Sequence, residues 1–350
     1  MSKAFDYKKA KEKMKIIHPK QINLREFKHV LIMAPRHRED LILATPALNA
    51  LKEAISPESE ITIITTDSQK KIAAACPAVS FVKPTGFKDV IKSLYDVCKE
   101  KYDLFICFED SYFHKILFGS IITAKAKLTL EPKNPDKIYN SIYNLSLRTI
   151  GQVQHKIIKY MSLVRYIGAN SYDFNPRLKI SEEDKQYAAD FIREKNIDCD
   201  KPLIGIHPTC HERGKRWSFN KFAQVVSILT GQENCTVIAF HHKDEEGMFK
   251  EFMHITKNKC IAADTYDYMK LAAISRYLSC FVTNESDFMH LMAPFTNVIA
   301  IWGGGDPENN KPSGAGHEVI SSSDGAVDSV TVSRVLDSVR SHISSHHAQT

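Results

Sequence analysis

Asp40 stands in the stretch APRHREDLILATPALNAL, directly behind an apolar run and at the head of a helical pattern. A carboxylate in that place can act as a general base towards a hydroxyl nucleophile. It can equally cap the helix, because Asp is a favoured N-cap and suits the positive helix end; position alone leaves both roles open. A second group, HPTCHERGKRWSFNKF from His207 to Phe222, collects Arg213, Lys215 and Arg216 in four residues beside the start of another helix. Three cations next to helix amides suit a diphosphate, the plain alternative being a solvated turn, and Trp217 reads as core. A third, FVTNESDFMHLMAP from Phe281 to Pro294, places Asn284, Glu285, Ser286 and Asp287 in a polar turn ahead of a short helix with His290. Its amides and the Ser286 hydroxyl suit a phosphate or sugar. Ser286 and Asp287 also read as caps, and His290 as a hydrogen-bonded core residue.

Several chemistries are excluded by what is missing. There is no G-x-x-x-x-G-K, no G-x-G-x-x-G and no G-x-S-x-G, which disfavours P-loop nucleotidases, the usual dinucleotide dehydrogenases and serine hydrolases. Asp198-Cys199-Asp200 matches a D-x-D pattern, but so short a match arises roughly once by chance in a chain of this size. The eight cysteines are scattered without C-x-x-C or zinc-type spacing and read as reduced thiols. No metal or cofactor is expected.

These turns need a scaffold, and short apolar runs alternating with amphipathic stretches supply β-α units around parallel sheets. Strands are predicted at 29–34, 60–65, 79–83 and 103–108, then at 203–207, 235–240, 280–283 and 298–302. A helix is expected from about Asp40 to Ala54, kinked or restarted at Pro46. The segment 131–152 reads as a loop or two short elements. The 350 residues, 43% hydrophobic and 25% charged, suit two domains: 29–174, and 175–350 with a last helix that is a candidate to pack back on the first domain. Two such domains facing each other leave a cleft at the carboxyl ends of their strands, where α/β sheets bind ligands. No apolar run reaches the ~20 residues of a membrane span, and the N-terminus lacks a secretory signal, which predicts a cytoplasmic protein.

Taken together, the turns resemble glycosyltransferase family nine, the ADP-heptose:lipopolysaccharide heptosyltransferases. VLIMAPRHREDLILATPALNAL is similar to the family's strand, G-D and T-P-x-L turn, and IGIHPTCHERGKRWSFNKF to its H-P-G…K-R-W-P…F segment. VTNESDFMHLMA resembles T-N-D-S-G-P-M-H-L-A-A, and IAIWGGGDP a strand followed by G-x-T-D-P. The resemblance implies two Rossmann-like domains in the glycosyltransferase-B arrangement, an acceptor-binding first domain and a donor-binding second, with inverting, metal-independent transfer from a nucleotide sugar. It implies Asp40 as base, with Arg36 and Arg38 of the same turn towards the acceptor. For the donor it implies His207, Thr209, Arg213, Lys215, Arg216, Glu285, Ser286, Asp287 and His290, with Glu245, or its neighbour Glu246, on the ribose. The chain departs from the family at Glu39, where the motif has Gly, and at Asp287-Phe288, where it has Gly-Pro. A nucleotide-sugar epimerase of the same shape and a binding module that has lost transfer are the alternatives.

The formal charge of +6 comes from 47 Lys and Arg against 41 Asp and Glu. Residues 1–28 hold nine basic and three acidic residues, so the leader accounts for the whole excess and the remainder is neutral. That argues against nucleic acid as a partner. Within the leader Tyr7, Ala10, Met14 and Ile17 fall at helical spacing, which suits a basic amphipathic helix at an anionic inner-membrane surface carrying a glycolipid or lipopolysaccharide-core acceptor; a solvated tail is the alternative.

Overall fold

The computed structural model describes residues 17–84, 90–148 and 155–347. The chain forms two compact units, Met1–Asp173 and Phe174–Thr350. In the first, β1 (His29–Met33), α1 (Arg38–Ala54), β2 (Glu60–Thr65), α2 (Lys70–Ala75) and β3 (Phe81–Pro84) are followed by α3 (Val90–Lys99), β4 (Lys101–Cys107) and α4 (Tyr112–Ile121). Then come β5 (Thr123–Leu130), α5 (Lys137–Ile142), β6 (Leu145–Leu147) and α6 (Lys156–Tyr166). The second unit holds α7 (Glu182–Glu194), β7 (Leu203–His207), α8 (Phe219–Gly231), β8 (Thr236–Ala239), α9 (Glu246–Ile255) and β9 (Ile261–Ala262). It continues with α10 (Tyr268–Ser275), β10 (Cys280–Asn284), α11 (Asp287–Met292), β11 (Val298–Trp302), β12 (Glu318–Ser321) and α12 (Val332–His347).

Each unit is built on a six-stranded parallel sheet, β3-β2-β1-β4-β5-β6 in one and β12-β11-β10-β7-β8-β9 in the other. Counted from its own first strand, each has the Rossmann order, with the chain reversing direction across the sheet between its first and fourth strands. These two central strands carry helices on both faces, so they read as unbroken apolar runs: Val30, Leu31 and Ile32 of β1 and Phe281 and Val282 of β10 are fully buried. In the second unit Trp217, Phe222 and Phe252 fill the space under α8, joined by Val335, Leu336 and Val339 of α12. That last helix packs on α8 and on the sheet of its own unit.

Two expectations change, and a third resolves to one of its alternatives, the two short elements. The helix begins at Arg38 with His37 as N-cap, so Asp40 is its third residue and not its cap. The same helix runs unbroken through Pro46 to Ala54; the Ile42 carbonyl, which loses its usual amide donor at a proline, accepts a hydrogen bond from the Thr45 hydroxyl at 2.7 Å. The segment 131–152 contains α5 and β6, and 149–154 lie outside the described residues. Of the leader, 1–16 lie outside the described residues and with them most of the expected amphipathic helix. From Ile17 onwards the chain forms two short 3-10 turns, Pro19–Gln21 and Leu24–Glu26, anchored by buried Leu24 and by Arg25 Nη1 donating to the Ile55 carbonyl at 2.9 Å. All eight cysteines are free thiols. Among the described residues no helix is long and apolar enough to cross a membrane.

Candidate functional site

In the first unit the chemistry gathers at the carboxyl ends of β1 and β4. The Pro35–His37 turn is held from below by Gln69, whose side-chain amide donates to the Pro35 and Arg36 carbonyls, both at 3.0 Å. Arg36 is exposed and Arg38 half-buried. Asp40 is buried, and its Oδ1 lies 2.6 Å from Lys156 Nζ, which also donates to Glu39 Oε1 at 2.7 Å. Burial raises the Asp40 carboxyl above its ordinary value, and the bond to and charge of Lys156 offset part of that rise. Burial works against the Lys156 ammonium, yet Asp40 and Glu39 overcome it and hold its pKa above normal. One turn along α6, Lys159 pairs with Asp110 beyond β4, and Tyr160 points a buried hydroxyl without a hydrogen-bond partner into the same charged region. Glu109, also beyond β4, accepts the Asp110 and Ser111 amides at 2.9 and 3.0 Å. Lys156, Lys159 and Tyr160 were not signalled by the sequence; lysines on an amphipathic helix look like solvated ones.

In the second unit three turns meet at the ends of β7, β8 and β10. His207 is fully buried, with Nε2 3.0 Å from Glu245 Oε2 and Nδ1 3.2 Å from Ser286 Oγ. Thr209, also buried, donates to Glu245 at 2.7 Å, and the His242 amide donates to the same carboxylate oxygen at 3.2 Å. Burial opposes the charge on Glu245, but His207 and Thr209 hold its pKa down to about 2; His207 is lowered by its own burial, partly offset by Glu245. Glu245 is thus an inward carboxylate, whereas Glu246 faces outwards, accepting from His241 Nε2 at 2.9 Å and the Tyr266 hydroxyl at 2.5 Å. Beside them an open pocket of about 400 Å³ is lined by His241, Glu246, Phe249, Asp264 and Tyr266. Asn284, which the sequence placed in the motif without a role, brackets two turns. Its Oδ1 accepts the Trp217 amide at 2.9 Å and its Nδ2 donates to the Pro208 carbonyl at 3.0 Å.

The three cations of the 213–216 turn separate. Lys215 Nζ lies 3.2 Å from both Glu285 and Glu212. Arg216 turns to the Cys210 carbonyl at 3.4 Å and stacks over Phe219, while Arg213 is exposed. The turn rests on the loop after β11: a Cβ on Gly303 would meet the Gly214 carbonyl oxygen at 2.6 Å, a contact only glycine permits there. Asp287 and Phe288, the departures from the motif, act together on His242. Phe288 stacks on its ring, with centroids 4.2 Å apart, and Asp287 Oδ1 lies 2.6 Å from its Nε2. Tyr268 bonds His242 Nδ1 at 2.8 Å and donates to Asp287 Oδ2 at 3.0 Å. Ser286 occupies the N-cap position of α11, but its hydroxyl goes to His207 and makes no capping bond. His290 is buried with Nε2 3.1 Å from Asn310 Oδ1.

Among the described residues one group, His207, His242 and Glu245, brings metal-type ligand atoms within 4.8 Å of one another. Each is engaged with a neighbour in the hydrogen bonds given above, so the group forms a connected network. Asp198 and Asp200 lie in the turn before β7, where Asp198 accepts the Asp200 amide at 3.0 Å.

The family model for glycosyltransferase family 9 (heptosyltransferase) matches residues 92–337, more than half of the chain. The chain belongs to glycosyltransferase family 9. This family 9 protein is similar to the lipopolysaccharide core heptosyltransferase OpsX of Haemophilus influenzae, at 24% identity over 185 residues. That match covers 52% of the chain and 51% of the relative, about half the length of each. Among solved structures, a family 9 glycosyltransferase from Veillonella parvula superposes with a TM-score of 0.82 at 18% identity, covering 92% of this chain and 98% of that one. The ADP-heptose lipopolysaccharide heptosyltransferase II of E. coli superposes with a TM-score of 0.77 at 17% identity, covering 91% and 99%. Identities this low establish the fold, the two Rossmann-like units of the glycosyltransferase-B class.

Proposed function

We propose that this family 9 protein is an inverting, metal-independent glycosyltransferase that moves a heptose from ADP-heptose to a hydroxyl of a lipopolysaccharide-core acceptor. The observation that carries the reading is the buried, lysine-paired carboxylate of Asp40 in the first turn of α1. Asp40 takes the proton of the acceptor hydroxyl, the acceptor oxygen bonds to the anomeric carbon, and the carbon–oxygen bond to the diphosphate breaks with its electron pair on the leaving group. One displacement of this kind inverts the anomeric centre. Lys215, with Arg213 beside it, meets the charge that develops on the diphosphate, in the way that fixed cations and dipoles stabilise departing anions. To do so Lys215 exchanges Glu212 or Glu285 for phosphate oxygens. Arg36 and Arg38 flank Asp40 and suit a phosphorylated acceptor. The named relatives, a core heptosyltransferase and an ADP-heptose heptosyltransferase, support this choice of donor and acceptor.

The test incubates the protein with a nucleotide-sugar panel, with and without a lipopolysaccharide-core acceptor, following nucleotide release and acceptor mass. ADP-heptose-dependent mass gain that disappears in Asp40→Asn supports transfer. Sugar conversion without acceptor, or full activity in Asp40→Asn, overturns it.

A further inference from the structure

Asp40 presents a problem that its own turn does not solve. A carboxylate buried this far favours the neutral acid, and a neutral acid cannot accept a proton. Its turn adds two groups of opposite effect, His37 favouring the charged form and Glu39 disfavouring it. The group that compensates comes from α6, more than a hundred residues further on: Lys156 Nζ stands 2.6 Å from Asp40 and 2.7 Å from Glu39, one ammonium between two carboxylates. From the same helix Tyr160 faces this region, and beyond it lie Glu109, Asp110 and Lys159, with Lys159 committed to Asp110.

We propose that Lys156 is the positioning residue of the acid–base site, and that Glu39 is the second seat to which its ammonium moves when Asp40 takes the acceptor proton. The inference rests on the reading of Asp40 as base. In the resting site Lys156 holds Asp40 ionised and oriented. When the hydroxyl proton reaches Asp40, that carboxyl becomes neutral and the ammonium keeps a full partner in Glu39. The half-buried ammonium keeps a carboxylate partner in either state. The carboxylate that replaces the motif's glycine thereby gains a role: it trims the hold of Lys156 on the base and receives the ammonium afterwards.

The test has one readout without substrate and one with it. In the full-length protein labelled with ¹³Cγ-aspartate, the Asp40 resonance, assigned by its loss in Asp40→Asn, is titrated in wild type, Lys156→Met, Lys156→Arg and Glu39→Gln. The midpoint is expected to rise in Lys156→Met, to return towards wild type in Lys156→Arg, and to fall in Glu39→Gln. The acid limb of kcat/KM is expected to move in the same directions, with kcat of Lys156→Met down on the order of 10²-fold through lost positioning. An Asp40 midpoint unmoved in Lys156→Met, or raised in Glu39→Gln, overturns the proposal. Midpoints that move as expected while the acid limb stays put support the clamp and sink Asp40 as the base, which separates the two readings.

Discussion

His242 Nε2 lies 2.6 Å from Asp287 Oδ1, the shortest link in a ring that Tyr268 closes from the other side. The Tyr268 hydroxyl lies 2.8 Å from His242 Nδ1 and 3.0 Å from Asp287 Oδ2, so the three side chains close on one another. Both ring nitrogens of His242 are thus engaged, with its ring face on Phe288. Read from sequence, Asp287 threatens to repel a phosphate. In the folded unit Asp287 is tied to His242 and Tyr268, and Asp287 with Phe288 forms one paired substitution around that histidine.

Asp287→Asn should therefore lower stability in a pH-dependent way. Burial pushes the Asp287 carboxyl up, but the bond to His242 and the charge of the histidine prevail and hold its pKa below the ordinary value. An acid depressed in the fold contributes its stability above its unfolded pKa and loses it as the pH falls through the folded one. The unfolding free energy from urea titration at pH 7 should drop by about 1.5–3 kcal/mol in the variant, the range for hydrogen bonds to charged groups. The gap should close in acid, below the usual carboxylate range. An equal gap at both ends would show that the charge plays no part.

Lys215→Ala removes the cation that Glu285 and Glu212 hold in place. Calorimetry with ADP should report markedly weaker binding. With a turned-over donor kcat should fall roughly 10²- to 10³-fold, as for loss of one fixed group stabilising a developing charge. Unchanged ADP affinity would place the diphosphate elsewhere.

For Asp40→Asn, activity and stability should part company. The Asp40 pKa is raised by burial, so the folded state binds that proton more tightly than the unfolded chain does. Stability tied to such a group is greatest below the unfolded pKa and declines as the pH climbs through the folded one. Above its folded pKa the ionised carboxylate is a net cost, and Lys156 keeps Glu39 when Asp40 is neutralised. The variant should lose on the order of 10²- to 10⁴-fold in rate while melting no lower than wild type, a common exchange at active sites. A clear drop in melting temperature would count against this account of the burial.

Gly303→Ala tests how the cationic turn is seated. The new methyl would press on the Gly214 carbonyl oxygen, with a cost of ~1–3 kcal/mol if the backbones stay put. The relief available is to lift the 213–215 turn. ADP affinity should fall in this variant with Lys215 still present, and far-UV circular dichroism should match wild type. Wild-type affinity would mean that the turn yields without moving Lys215.

Buried parallel strands announced themselves: HVLIM, EITIIT, LIGIH and VIAIW are apolar runs because helices cover both faces of each sheet. Thr123–Leu130 escaped because TAKAKLTL carries two lysines. Lys127 is nevertheless buried; its ammonium donates to the Gly119 carbonyl at 2.6 Å, and burial lowers its pKa to about 8. β9, two residues long, has no period to detect. At the candidate site, residues grouped in one turn were legible, since Asp40, Lys215 and Ser286 each stand among telling neighbours. Lys156, His242 and Tyr268 were not. Their chemistry comes from partners on other elements, and nothing beside them in the chain says which residues those are.

The pairing of Asp40 and Glu39 with Lys156 joins distant parts of the chain. Glu39 and Lys156 are 117 positions apart, and α6 is formed only after the chain has laid down all six strands of its first sheet. During synthesis, at about 5–20 residues per second, α1 and β1 are exposed for several seconds before their counter-ion exists. In that interval Asp40 has no α6 cation beside it. A chain that ends before Lys156 therefore holds Asp40 and Glu39 without the ammonium that pairs with both in the folded unit.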